Sequence, residues 1–251
     1  MRIISIIQAR MSSTRLPEKV LIDVKGKPML HYVVSRTKRS KTIQDVILAT
    51  SLSPDDDKIE VFCKARDINC FRGDLDDVLK RFYDAALAYN ADAVVRITAD
   101  CPLIDPDVID KAVDKFCSGE FDYVSNAVER TYPDGLDVEV IGIKALKQAH
   151  KEAKLRSERE HVTPYFFKNP DVFKIGHIIN DEDHSNLRWV VDEPRDLAFV
   201  REVFEHFDTE DFVMDDILKV VQENPQLSKL NDGIVCNEGL IKSMREDVFV
   251  R

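Results

Sequence analysis

The feature that most constrains this chain is a repeated switch between two hydrophobic periods. Short apolar, β-branched runs alternate with amphipathic segments of helical period through the first half. "RIISII" (2–7), "DVILAT" (45–50), "INCFRG" (68–73) and "DAVVRIT" (92–98) read as strands. Between and after them, "PMLHYVVSRTKRS" (28–40), "SPDDDKIEVFCKARD" (53–67), "DLDDVLKRFYDAALAYN" (74–90) and "DPDVIDKAVDKFC" (105–117) read as helices. A strand that is apolar without alternation is buried on both faces. Strands of that kind, regularly spaced by helices, predict an α/β fold with a mixed, mostly parallel sheet and helices on both faces.

The second half is less regular. "LDVEVIGI" (136–143) reads as a strand and "KALKQAHKEA" as a helix. "SEREHVTPYFFKN" (157–169) has helical character on both sides of Pro164. "FKIGHI" and "LRWVV" look strand-like, and "PRDLAFVREVFEHF" (194–207) and "FVMDDILKVVQEN" look helical. The boundaries expected are a main domain over 1–207 and a helical extension over 208–251, packed on that domain.

Charge and cysteine usage narrow the function classes. The net charge of −10 leaves no broad basic face, which argues against a nucleic-acid partner. Apolar runs fall far short of the roughly 20 residues needed to span a bilayer, so no membrane role is expected. Arg2 is followed by only five apolar-type residues before Gln8, which does not resemble a secretion signal. The five cysteines form no CxxC pair, and a reducing, cytoplasmic setting is the plain expectation.

Against that acidic background one loop stands out. "QARMSSTRLPEK" (8–19) follows the first strand and carries Arg10, Arg15 and Lys19. Ligands of open α/β sheets bind at the carboxyl ends of the strands. Cations there suit an anion such as a triphosphate, through charge-assisted hydrogen bonds. The segment lacks the GxxxxGK[ST] pattern, so it is not a P-loop. A solvated surface loop would have a similar composition.

Two strand-end aspartates add a second signal. Asp100 follows "DAVVRIT" and Asp192 follows "LRWVV". Magnesium takes hard oxygen ligands, commonly one or two carboxylates completed by phosphate oxygens. A turn aspartate or a helix N-cap is the structural alternative for each. Asp105 precedes Pro106 and an apolar-periodic run, and reads as a helix N-cap. Arg72 and Gly73 stand at a strand end. Asp137 and Glu139 alternate with apolar residues and so share a strand face. Arg159 and His161 cluster in "RSEREHVTPY". The alternatives are a solvent-facing edge strand for the acids and a charged helix face for the cluster.

Taken in order, "QARMSSTRLPEKVL", "GKPML", "FRGDLDDVLKRFYDAA", "RITADCPLIDP", "YPDGLDVEV", "EREHVTPYF" and "RWVVDEPRDL" resemble the spore coat polysaccharide biosynthesis group of cytidylyltransferase-like proteins. That group is similar to the 3-deoxy-manno-octulosonate and acylneuraminate cytidylyltransferases. The resemblance runs from residue 2 to about residue 205. It implies a nucleotide-diphospho-sugar transferase (Rossmann-like) fold. It also implies a Mg2+-dependent enzyme that joins CTP to a sugar or sugar acid, giving a CMP-sugar and pyrophosphate. On that pattern Arg10, Lys19 and Asp100 are catalytic, and Asp100 and Asp192 hold the metal. Gln8, Ala9, Arg10, Ser13, Arg15, Lys19, Arg72 and Gly73 contact the nucleotide. Asp137, Glu139, Arg159 and His161 face the sugar. The sugar-activating relatives suggest a homodimer. A glycosyltransferase of the same fold, or a non-catalytic nucleotide-binding partner, are the alternatives.

One position departs from the pattern. The usual loop ending is "RLPGK", and here it is "RLPEK". Glu18 is expected to place a negative charge beside the phosphates, so that Glu18→Gly would tighten CTP binding. The alternatives are that the loop needs glycine for a positive φ or a close phosphate approach, and that Glu18 is recruited to orient Arg15 or Lys19, in which case Glu18→Gly would lose activity.

Overall fold

The computed structural model describes residues 1–250. Its strands are β1 (Ile3–Gln8), β2 (Asp23–Val24), β3 (Lys27–Pro28), β4 (Asp45–Ser51), β5 (Asn69–Gly73), β6 (Ala93–Thr98), β7 (Tyr123–Ser125), β8 (Glu139–Gly142) and β9 (Ile175–His177). Its α-helices are α1 (Met29–Lys38), α2 (Asp57–Lys64), α3 (Val78–Ala88), α4 (Pro106–Cys117), α5 (Ile143–Glu152), α6 (Arg156–His161), α7 (Pro164–Phe167), α8 (Pro194–Glu205), α9 (Met214–Glu223) and α10 (Glu238–Arg245).

Seven strands form one sheet in the order β5-β4-β1-β6-β8-β7-β9. The first four in that order are parallel. Only β8 runs the other way, antiparallel to both β6 and β7, while β9 is parallel to β7. Because β8 is reversed, its first residue, Glu139, lies at the edge where β1 and β6 end. The mixed, mostly parallel sheet read from the sequence is therefore observed.

Alternation along β1 divides the core. Ile3 and Ile7 join a cluster with Leu30 and Val33 of α1, Ile109 and Val113 of α4, and Val200 of α8. Ile4 and Ile6 join the opposite cluster, with Leu79 and Phe82 of α3, Leu146 of α5 and Phe166 of α7. Each fully buried isoleucine is worth about 1.5–3 kcal/mol. Helices thus cover both faces, and the strand ends are left for loops.

Helix starts follow the caps the sequence offers. The Asp105 carboxylate accepts from Asp107 N at 2.7 Å and Val108 N at 3.3 Å, with Pro106 at the first helical position. It also accepts from Met214 N at 2.5 Å, so this cap fastens the start of α9 as well. Asp105 is structural, as its position predicted.

Several expectations need correction. "LRWVV" is not a strand: among these residues the sheet-type contact is an isolated bridge between Asp134 and Arg188. Trp189 N and Val190 N donate to Asp134 O at 2.6 and 3.0 Å, and Val191 N donates to Asp100 O at 2.8 Å. Two loops, not a neighbouring strand, hold that segment extended. Gly135, at φ +112°, permits this approach, since a Cβ there would lie 2.5 Å from Val190 N. The strand expected over 136–143 shortens to β8, because Val138 N and Leu136 O are bonded to the Asn126 side chain. The helical stretch over 157–169 breaks into α6 and α7 at Val162, whose φ is 70°. β7, the β2–β3 hairpin and α10 were not anticipated.

Candidate active site

The loop after β1 is tied down from beneath. The buried Asp56 carboxylate accepts from Met11 N at 2.7 Å and from Ser51 N at 3.0 Å. Burial alone would push this carboxyl up, but the bonds from Ser51 and Met11 hold it below the usual carboxylate range. Leu16 N donates to Ser13 Oγ at 3.3 Å, and the chain then enters a single 3-10 turn at Lys19–Leu21. This anchoring aims the loop's cations over the carboxyl ends of β1 and β6.

At the turn, Lys19 Nζ lies 2.9 Å from Asp100 Oδ2, 2.8 Å from Asp192 Oδ1 and 2.9 Å from Val191 O. The three side chains are largely buried, at 12%, 24% and 21% exposure. Burial works against the Lys19 charge, yet the two aspartates outweigh it and hold the ammonium above its ordinary pKa. Burial likewise disfavours the Asp100 charge, but Lys19 and Thr98 bring that carboxyl down to about 2. Arg15 adds a bond to Asp192 at 3.0 Å and one to Glu238 of α10 at 3.1 Å. Asp192 is further held by Arg188, which also spans Asp134 and Asp196.

A cavity of about 560 Å³ opens over this cluster. Gln8, Ala9, Arg10, Ser13, Arg15, Lys19, Asp100, Asp192, Asp137, Glu139 and His161 all line it. Three expected residues do not. Arg72 is engaged by Asp57 at 2.6 Å and Glu60 at 2.8 Å, and also donates to Ser51 O and Ser53 O. Gly73 lies against the Arg81 side chain, where a Cβ would come within 2.9 Å of Cγ. Arg159 is buried between α6 and α3, donating to Asp77 Oδ1 and His150 O at 2.8 Å each. These three hold elements together rather than facing the cavity.

Glu18 also departs from its expected role. Its φ is 58°, the left-handed region that glycine enters freely. Its carboxylate turns outward to pair with Lys58 and does not line the cavity. The carboxylate is therefore held on the side of α2, and the backbone at this position has the left-handed conformation that glycine adopts without strain.

Residues missed by sequence reading complete the walls. Arg81 and Arg96 lie inside elements read as ordinary helix and strand, and Arg130, Asp134 and Glu160 also reach the cavity. So do Asn237, Glu238, Gly239 and Leu240, from the segment where the family resemblance fades. The one signal for Arg96 was its charge within an otherwise apolar strand. Asp134 is the first residue of the Asp-Gly pair at 134–135, a turn signal in the sequence, and burial with Asp137 nearby raises its carboxyl to about 6.

The donor set fits a hard divalent cation. Two carboxylates converge on one cationic atom, Lys19 Nζ, beside a cation-rich loop. No group of three or more His, Cys, Asp or Glu among the described residues is placed to hold a metal. Magnesium needs only one or two carboxylates when phosphate oxygens supply the rest. The arrangement can therefore gather a polyphosphate, balance its charge and present its reacting phosphorus to an acceptor in the same cavity.

A mostly parallel α/β sheet with a cavity at the strand ends, floored by paired aspartates and cations, has that cavity where open α/β sheets bind their ligands. Residues 4–233 match the Cytidylyltransferase family model, and the chain belongs to that family of nucleotidyltransferases. The solved structure of a cytidylyltransferase from Leptospira borgpetersenii serovar Hardjo-bovis (strain JB197) shares 34% identity and a TM-score of 0.89, covering 94% of this chain and 99% of that one. The uncharacterized protein MJ1063 of Methanocaldococcus jannaschii is 38% identical over 236 residues, 93% of this chain and 96% of its own. The spore coat polysaccharide biosynthesis protein SpsF of Bacillus subtilis is 28% identical over 233 residues, covering 89% and 95%. A CMP:2-keto-3-deoxy-manno-octonic acid synthetase complexed with CTP shares the fold, at a TM-score of 0.66 and 17% identity over 82% of this chain and 99% of that one. The fold is that of the nucleotide-diphospho-sugar transferases. No helix among the described residues is long and apolar enough to cross a membrane.

Proposed function

We propose that this chain transfers the cytidylyl group of CTP to a hydroxyl of a sugar or sugar acid, for polysaccharide biosynthesis. The observation that carries the reading is the convergence of Asp100 and Asp192 on Lys19 Nζ, at 2.9 and 2.8 Å, in a cytidylyltransferase-family cavity. The names of SpsF and of the octonic acid synthetase support a sugar acceptor and a polysaccharide pathway.

In the reaction the acceptor oxygen bonds to the α-phosphorus of CTP. The bond from that phosphorus to the oxygen bridging to the β-phosphate breaks, and pyrophosphate leaves with the electron pair. The hydroxyl proton passes to water. Arg10 and Arg15 bind the triphosphate and stabilise charge on the leaving pyrophosphate, and Lys19, whose three donors rest on Asp100, Asp192 and Val191 O, would join them once a cation takes over the two aspartates. Gln8, Ala9 and Ser13 shape the loop floor against which the nucleotide lies. Asp100 and Asp192 would hold a divalent cation, Mg2+ in this reading. When bound, such an ion neutralises phosphate charge and lowers the pKa of the attacking hydroxyl. Positioning and electrostatics do most of the remaining work.

A pyrophosphate-release screen of nucleoside triphosphates against sugars and sugar acids, with Mg2+, tests the reading. Release that requires both CTP and an acceptor is expected. Transfer of a sugar from a nucleotide-sugar, with no pyrophosphate from CTP, would replace it.

A further inference from the structure

We infer that Arg81 of α3 is a further nucleotide-binding residue, acting with Arg10 on a phosphate of CTP other than the one attacked, and that Gly73 positions it. The inference rests on the nucleotidyltransfer reading above and deepens it.

The other buried arginines that border the cavity or stand behind it have carboxylate partners. Arg96 pairs with Glu139, and Arg130 pairs with Asp137 at 2.7 Å. Arg188 is shared by Asp134, Asp192 and Asp196. Arg81 is different. It is 2% exposed and yet lines the cavity. Its Nη1 donates to Asp74 O at 2.6 Å, its Nε has no partner, and no carboxylate among the described residues forms a salt bridge with it.

The acids that act on Arg81 through charge are Asp56, Asp74 and Asp77, and each is committed elsewhere. Asp56 accepts from Met11 N and Ser51 N at 2.7 and 3.0 Å. Asp74 accepts from Asp76 N and Asp77 N at 2.9 Å each. Asp77 caps α3 through Lys80 N at 2.9 Å and is gripped by Arg159. Burial first, and then the neighbouring Arg10 charge, push the Arg81 guanidinium down to about 10, so it stays charged at neutral pH. Arg10 is itself 46% exposed and meets Glu160 only at 3.9 Å. Two neighbouring cations, one of them buried, thus border the cavity with little negative charge of the protein's own to balance them.

A buried charge without a counterion is unfavourable, and such groups in folded proteins are paired. Arg36 shows how a buried arginine without a carboxylate is otherwise satisfied. Its Nε and Nη1 donate to Ile104 O and Glu210 O at 2.8 and 3.1 Å, and its guanidinium lies 4.3 Å over the Phe212 ring. Arg36 does not line the cavity. Arg81 has one carbonyl, no ring partner and an open cavity beside it, so a ligand supplies its counterion. Phosphate oxygens fit the guanidinium fork and form charge-assisted hydrogen bonds with it.

The reacting phosphorus belongs beside Asp100 and Asp192, where Lys19 and Arg15 already stand. Arg10 and Arg81 make no bond to that pair among the described residues, which leaves them for the phosphates that depart as pyrophosphate. Donors held there stabilise charge as it grows on the leaving group. Gly73 lets the arginine reach this place. A Cβ at Gly73 would lie 2.9 Å from Arg81 Cγ and 3.3 Å from its Cβ, so a side chain there would push the stem off its path.

Calorimetric titration of the full chain with CTP, CMP and inorganic pyrophosphate, in Mg2+ and without acceptor, tests the assignment. Arg81→Met should weaken CTP and pyrophosphate binding about tenfold or more, the loss of one charge-assisted contact, and leave CMP within about twofold. Gly73→Ala keeps the charge but displaces the stem, and should repeat the pattern at about threefold or more. It carries the test if Arg81→Met does not fold. Unchanged CTP affinity in either folded variant would overturn the assignment. So would an equal loss of CTP and CMP, which would mean that Arg81 serves the nucleoside or the packing of α3. Arg81-dependent pyrophosphate binding, in a protein that releases none from CTP with any acceptor, would uphold the phosphate site and remove the nucleotidyltransfer reading. Release from CTP by a protein whose CTP affinity ignores Arg81 would do the reverse.

Discussion

Lys19 Nζ lies 2.9 Å from Asp100 Oδ2, although 81 residues separate them along the chain. The contact joins the loop after β1 to the end of β6, and it makes the cation and the carboxylate a single unit. Each holds the other in its charged form.

Replacing Lys19 therefore has two expected effects. Lys19→Ala should raise the apparent CTP constant and lower turnover, because the cation that balances Asp100 and Asp192 on the cavity floor is lost. It should also lower stability by about 1–3 kcal/mol, since Asp100 and Asp192 are left facing each other without their shared cation. Added Mg2+ should restore part of that loss and raise the melting temperature of the variant more than that of the wild type. Melting curves with and without Mg2+ check this, and an unchanged melting temperature would show that the ammonium does not compensate the pair.

Glu18 is predicted to matter for backbone conformation and not for nucleotide affinity. At φ 58° a non-glycine residue pays a conformational cost of about 1–2 kcal/mol, partly offset by the extra unfolded-state freedom of glycine. The exposed pair with Lys58 contributes little. Glu18→Gly should thus stabilise the fold by about 0.5–1 kcal/mol. CTP binding should stay unchanged at low and moderate salt. A salt-dependent gain in CTP affinity would restore a direct charge effect.

How much of this was legible in the sequence depended on whether a signal was local. β1 and the cap at Asp105 were readable because continuous apolar runs and an Asp-Pro helix start carry their causes in neighbouring residues. The first loop was readable for the same reason, with Arg10, Arg15 and Lys19 close together behind a strand. "LRWVV" misled because its apolar side chains suit a strand, while its backbone partners are the loops at Asp134 and Asp100. β7 has only three residues, too few to show a period. Arg72 had the right position at a strand end, but Asp57 and Glu60, both on α2, claim it. Arg81 looked like the charged face of an amphipathic helix, and only the fold turns it into a buried lining cation. The contributions of Glu238 and its neighbours depend on the chain returning to the cavity more than 200 residues after the loop they meet, as the Arg15–Glu238 separation of 223 shows.

His161 gives a pH prediction. Burial first, then Arg96 and Arg10, lower its pKa from 6.5 to about 4, although Glu160 opposes them. Between those values the unfolded chain binds a proton that the folded chain does not. Stability from this group is therefore complete above 6.5 and falls as the pH drops toward about 4. The loss should be on the order of 1–3 kcal/mol. Denaturant titrations across the window compare wild type with His161→Gln, which keeps a polar group near Ser243 Oγ. The variant should show a flatter dependence, and parallel curves would mean that His161 protonates freely in the folded state.

The most direct measurement is the initial rate of pyrophosphate release from CTP, with acceptor and Mg2+, by wild type and by Asp100→Asn. Asparagine keeps the shape of the side chain and removes the charge that Lys19 and a divalent cation would share. A folded variant whose rate falls by about a hundredfold or more is expected, because the phosphate charge at the reacting centre loses its carboxylate-held stabilisation. A folded Asp100→Asn protein that releases pyrophosphate at the wild-type rate would contradict it.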